Sequence, residues 1–161
     1  MSLTEVSSIL WRERELLDLL LFKLEEEQLL LAAGRSRWLG HATREVEMVL
    51  EELRRAELGR AVEVEAVAAS LGLEPDVSLR VLAEKAPAPW DDILREHRNA
   101  FLAASQEISA LAQANKELLT SGFRAARETL MSLGEPEVAT YDPSGQSVQR
   151  NRGPRLLNEA I

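Results

Sequence analysis

Apolar residues recur at alternating steps of three and four from the start of the chain, which is the period of an amphipathic helix. Ser2 and Glu5 have the spacing of a capping box, so the first helix is predicted to begin there. It is predicted to end near Ala33, with Gly34 as its stop. Six of its eight seam positions are apolar, the eight being Val6, Leu10, Glu13, Leu17, Leu20, Leu24, Glu27 and Leu31. A second apolar stripe lies beside this seam, so the helix needs neighbours on two sides.

Two further helices are predicted before residue 90. A long one begins near Ser36 and ends near Leu71, just before Gly72. A short one of about two turns is predicted from residues 74–76 through Ala83, because proline suits the first turn of a helix. Two prolines shortly before residue 90 then break the helical pattern.

The third long helix has the clearest predicted start. Pro89 fits the first helical position, and the two aspartates that follow complement the positive end of the helix dipole. The helix is predicted to run to Leu133, with Gly134 as its stop. Residues 120–122 are poor helix formers and can bend or interrupt it. Near its end the apolar stripe shifts to Leu119, Ala126, Leu130 and Leu133.

The segment 135–161 changes character, because proline, glycine and polar residues dominate it. Residues 142–145 have the signature of a type I turn, and a short helical segment is predicted at residues 156–157. We therefore predict an all-α fold, an elongated antiparallel bundle of three long helices with a short extra helix between the second and third. The bundle domain spans 1–134, and 135–161 form a flexible tail. A four-helix arrangement across a homodimer stays open.

Composition and charge narrow the possible partners. The chain has 27 acidic and 19 basic residues and a net charge of -8, which disfavours nucleic acid and anionic membrane surfaces. No apolar run approaches the roughly 20 residues of a membrane span, so we expect no membrane insertion. The N-terminus lacks the pattern of a signal peptide, so the expected location is the cytoplasm.

The sequence offers little catalytic chemistry. It has no cysteine and two histidines, His41 and His97. A di-iron bundle needs Glu three residues before His, and Trp38 and Leu94 occupy those positions. Glycine-rich phosphate loops and nucleophile elbows are also missing. We therefore expect no enzymatic activity, no cofactor and no metal site, with His97 as a hydrogen-bonded interior residue.

Two residues support alternative interpretations. Asn115 lies on an apolar seam, where it either sets the register of the helix packing or binds a partner. Tyr141, the single tyrosine, is either a locally packed aromatic or a recognition residue. The residue pattern favours neither alternative.

The order of these segments resembles a known family. The third helix carries Leu-Ala-Gln-Ala-Asn-Lys-Glu-Leu-Leu at residues 111–119, and Thr-Tyr-Asp-Pro-Ser-Gly follows at residues 140–145. Together with the two long helices before them, these segments resemble the flagellar export chaperones of the FlgN type. The similarity extends from about Leu3 to Gly145.

The resemblance implies a cytoplasmic helical chaperone of a flagellated bacterium. Such proteins bind a helical segment near the C-terminus of the hook-associated (hook–filament junction) proteins, keep them unassembled and help deliver them to the flagellar export gate. The matched client-binding positions are Asn115, Leu118, Leu119 and Tyr141. Apolar spacing adds two further positions, Leu130 and Leu133.

Two other functional classes remain open. A coiled-coil scaffold or adaptor without an export client fits the same helices. Its partner surface would lie along the long helices. A helical metal oxidase fits poorly, because the sequence has no ligand set.

Overall fold

A computed structural model describes residues 2–134 and the backbone of residues 140–141 and 147–148. Its elements are α1 (Leu3–Ala32), α2 (Ser36–Ser70), α3 (Leu79–Lys85), α4 (Trp90–Leu133), β1 (Thr140–Tyr141) and β2 (Ser147–Val148). The chain divides into two compact units, Met1–Leu118 and Leu119–Ile161. The predicted all-α class, with three long helices and one short helix, is confirmed. The predicted domain boundary after residue 134 stays a prediction.

The ends of α1 follow the sequence signals. The Ser2 hydroxyl accepts a hydrogen bond from the Glu5 amide at 3.3 Å, and a Glu5 carboxylate oxygen accepts one from the Ser2 amide at 2.8 Å. This reciprocal pair is the predicted capping box. Gly34 follows α1 with a φ of 66°, a backbone conformation that costs glycine little and other residues more. Gly72 plays the same part after α2 with a φ of 69°.

The predicted start of the short helix was wrong. The residues that were expected to open it form a turn, in which the Glu74 carbonyl accepts a hydrogen bond from the Val77 amide at 3.3 Å. The helix instead spans Leu79–Lys85, because the Ser78 hydroxyl accepts a hydrogen bond from the Val81 amide at 3.3 Å. A serine N-cap outweighs a proline-containing first turn here.

α4 is continuous over Trp90–Leu133 and ends before Gly134, as predicted. It begins one residue later than expected, since Pro89 precedes the helix and the Trp90 amide bonds the Pro87 carbonyl at 2.9 Å. The residues at 120–122 neither interrupt nor end it. A glycine inside a helix costs about 1 kcal/mol relative to alanine, which a long helix tolerates.

The first unit is built on α1 and α2, which run antiparallel. The Lys23 ammonium lies 2.8 Å from the Glu45 carboxylate, and an Arg60 nitrogen lies 3.4 Å from a Glu13 oxygen, so residue numbers rise on one helix as they fall on the other. The apolar core forms two clusters. The first contains Val6, Leu10, Val67, Leu82, Ala83, Ala86 and Leu94, and the second contains Leu16, Leu20, Leu24, Val46, Val49 and Leu53.

Polar side chains also lie inside the first unit, beside the first cluster. We use the name polar layer for Ser7, Glu13, Arg14, Arg60 and His97. Glu13, a predicted seam position, is 3% exposed and is paired with Arg60. Burial raises the pKa of Glu13 above its usual 4.5, and the Arg60 guanidinium offsets this only in part.

The core prediction is tested by Leu10→Ala. Leu10 is fully buried in the first cluster, so the change leaves a cavity and should lower the free energy of unfolding by about 2–5 kcal/mol. Leu29→Ala is the matched control, because Leu29 lies on the same helix and is 70% exposed. Urea denaturation gives both values, and similar losses in the two variants would contradict the assigned core.

The buried carboxylate is tested by Glu13→Gln. The folded-state pKa of Glu13 is raised, so its charge destabilises the fold at neutral pH, and this cost disappears as the pH falls towards 4.5. Glutamine mimics the protonated form, so the variant should have a higher Tm at pH 7 and an unchanged Tm near pH 4. Glu15→Gln, an exposed change two residues away, should alter neither value. A lower Tm of Glu13→Gln at pH 7 would contradict the assigned cost.

Candidate partner-binding surface

Asn115 lies inside the first unit rather than on its surface. Its side-chain nitrogen donates hydrogen bonds to the Leu24 carbonyl at 2.9 Å and to a Glu27 carboxylate oxygen at 3.1 Å. The residue is 4% exposed. These contacts join α4 to α1 and are those expected of a register-setting residue. The partner-binding role of Asn115 stays a prediction.

Leu118 is the last residue of the first unit. Its side chain is exposed, in contrast to that of Asn115 one turn earlier. Leu118 is therefore accessible, as a partner-binding residue must be. Its partner-binding role stays a prediction.

The second unit begins with the last part of α4. Its helical residues at 119–133 are all exposed. Apolar side chains follow one another there at steps of four, three, four and three, which is the spacing of a coiled-coil seam. We call this set the α4 stripe, and its members are Leu119, Phe123, Ala126, Leu130 and Leu133.

Phe123 is the member of the α4 stripe that the sequence interpretation missed. It is 70% exposed, which is unusual for a residue of that size. Residues 120–122, which are poor helix formers and can bend or interrupt a helix, directly precede it. The signal was nevertheless available, because Phe123 lies four residues after Leu119 and three before Ala126. An uninterrupted helix makes the stripe continuous over two heptads.

Tyr141 lies in β1, which pairs antiparallel with β2. The register aligns Thr140 with Val148 and Tyr141 with Ser147. The sequence pattern did not predict these two strands. The type I turn predicted at residues 142–145 and the short helical segment at 156–157 lie outside the described residues.

Other chemistry is sparse in the described part of the chain. Within residues 2–134, no group of three His, Asp or Glu side chains is placed to hold a metal ion. A cavity of about 270 Å³ lies beside Arg60 and includes the Ser78 hydroxyl, which already caps α3. A groove of about 330 Å³ runs between α1 and α2 over Leu16 and Met48. Neither contains a histidine.

The length and hydropathy of the described helices bear on membrane insertion. None of them, over the residues that the structure describes, is long and apolar enough to span a membrane.

Comparison with known proteins identifies the family of the chain. The family model described as FlgN protein matches residues 1–149. No curated protein and no solved structure matches the chain. The family match includes all four helices, Tyr141 and both short strands. The chain therefore belongs to the FlgN family, which implies a general role as a flagellar export chaperone rather than as an enzyme.

Proposed function

We propose that this protein binds the C-terminal helical segment of a hook-associated protein in the bacterial cytoplasm and keeps that client unassembled and competent for export. The observation that carries the proposal is the α4 stripe, an exposed apolar seam on a continuous helix. Family membership supplies the flagellar context. The identity of the client rests on the family resemblance.

The α4 stripe has the pattern that a client helix needs. An amphipathic helix binds through apolar residues at steps of three and four, and the same spacing on both partners lets their side chains interdigitate. From Leu119 to Leu133 the stripe is about 21 Å long at 1.5 Å per residue. That length corresponds to about four turns of a client helix.

Charge beside the stripe favours an acidic client flank. Residues 119–134 contain Arg124, Arg127 and Glu128, so this helical part is net positive in a chain of charge -8. Arg127 follows the Ala126 seam position directly, where charged residues of a coiled coil meet the partner helix. We infer that a client helix with carboxylates at its matching flank is preferred over one with lysine or arginine there.

The remaining predicted partners depend on other parts of the chain. Asn115, Leu118 and Tyr141 belong to the proposal as residues matched to the family pattern, and docking at the flagellar export gate is proposed on the same basis. A homodimer remains an alternative occupant of the stripe. A scaffold function would use the same seam with a partner unrelated to export, so the client must be tested directly.

Isothermal titration calorimetry tests the client. The full chain is titrated with purified C-terminal segments of the hook-associated proteins from the same organism. We expect a dissociation constant in the micromolar range or tighter, which is about -8 kcal/mol or better, at a ratio of about one to one. No heat and no co-elution with any of these proteins would contradict the proposal and favour a scaffold.

Leu130→Glu tests the surface. It places a charge on the fourth of the five stripe positions and should weaken binding by at least about tenfold, which is about 1.4 kcal/mol. Met131→Glu is the matched control, because Met131 is the next residue along, is 64% exposed and lies off the stripe. Equal losses in both variants would contradict the seam. A chain ending at Gly134 tests the tail as a whole, Tyr141 included, since it removes residues 135–161 and keeps the stripe.

A further inference from the structure

His97 is the most deeply buried titratable side chain of the polar layer. It is 1% exposed and lies on α4, facing Ser7 and Arg14 of α1. On α4 it lies between Leu94, which belongs to the first apolar cluster, and Phe101, which packs against that cluster. The contact between α4 and α1 therefore depends on polar groups here, as it does at Asn115.

The contacts of His97 suit a neutral imidazole. An Arg14 nitrogen lies 3.5 Å from the Nδ1 atom of His97. A guanidinium has only hydrogen-bond donors, so this placement suits an unprotonated Nδ1 and a neutral imidazole. Its hydrogen is then on Nε2, which donates to the Ser7 hydroxyl oxygen at 3.1 Å. A second proton, on Nδ1, would place an N–H donor of the ring against an N–H donor of Arg14.

The surroundings of His97 offer little to balance a charge. The Trp11 ring stands edge-on to the imidazole with 5.0 Å between centroids, and Phe101 lies 6.5 Å away. The charged groups facing it are Arg14 from α1 and Glu96 from α4 itself, while Arg60 from α2 is paired with Glu13. Burial and then Arg14 lower the pKa of His97 below its usual 6.5, and Glu96 opposes them weakly.

We propose that Ser7, Arg14 and His97 form an acid-sensitive latch, which holds α4 on α1 while His97 is neutral and releases this part of α4 when His97 is protonated. The latch lies in the first unit and shares no residue with the α4 stripe. The direction of its pH dependence follows from the linkage between protonation and docking. The released state binds a proton at the ordinary histidine pKa near 6.5 and the docked state only at lower pH, so docking weakens as the pH falls below 6.5.

Amide hydrogen exchange followed by NMR tests the latch in the full chain. After correction for intrinsic rates, the opening constant of the amides at residues 94–101 should rise by up to about tenfold per pH unit below 6.5, because one proton is taken up. Amides in the second apolar cluster, at residues 46–53, should not follow. His97→Phe keeps a ring against Trp11 and removes the titration, so its opening constant should lose this dependence.

His41→Gln is the matched control. His41 is the other histidine and is exposed, so its removal should leave the pH dependence unchanged. If His97→Phe does not fold, the NMR titration of the imidazole signals in the wild-type protein tests the latch instead. The His97 signal should titrate below 6.5, and the amides should open over the same pH range. A His97 pKa at or above 6.5, opening that is independent of pH, or simultaneous opening of the whole first unit would each overturn the latch.

Discussion

The position of α4 in the first unit depends on two buried polar contacts with α1. Leu94, His97 and Asn115 are the buried side chains among the described residues of α4, and two of these three are polar. His97 contacts Ser7, and Asn115 donates to the Leu24 carbonyl. Hydrogen bonds are directional and costly to leave unmade inside a protein, so they select one register where apolar area alone would permit several.

Sequence reasoning predicted the helices well because their ends carry local signals. The capping box at Ser2 and the glycine at position 34 act within a few residues, so no knowledge of the fold is needed to identify them. The start of α3 was mistaken because Ser78 and the proline upstream of it compete, and the outcome depends on the path of the chain between α2 and α3. Glu13 was recognised as a break in the seam, but its pairing with Arg60 is tertiary information.

The candidate surface could be predicted only in part, for the same reason. Leu119 was identified from the family resemblance and Leu130 and Leu133 from apolar spacing, and the structure leaves all three exposed. Phe123 was missed because it directly follows residues 120–122, which are poor helix formers and can bend or interrupt a helix. The contacts of Asn115 depend on a carbonyl 91 residues away, which no local pattern reveals. The family match places the chain among export chaperones, and the exposed seam suggests where a client helix is held.

The central claim is that a client helix covers the α4 stripe, and mapping amide protection on the full chain tests it most directly. Hydrogen exchange is measured with and without the C-terminal segment of the hook-associated protein that binds best. The account predicts new protection of the amides at residues 119–133, since burial of their side chains stabilises the helix against local opening. Protection confined to the groove between α1 and α2, with none at residues 119–133, would contradict it.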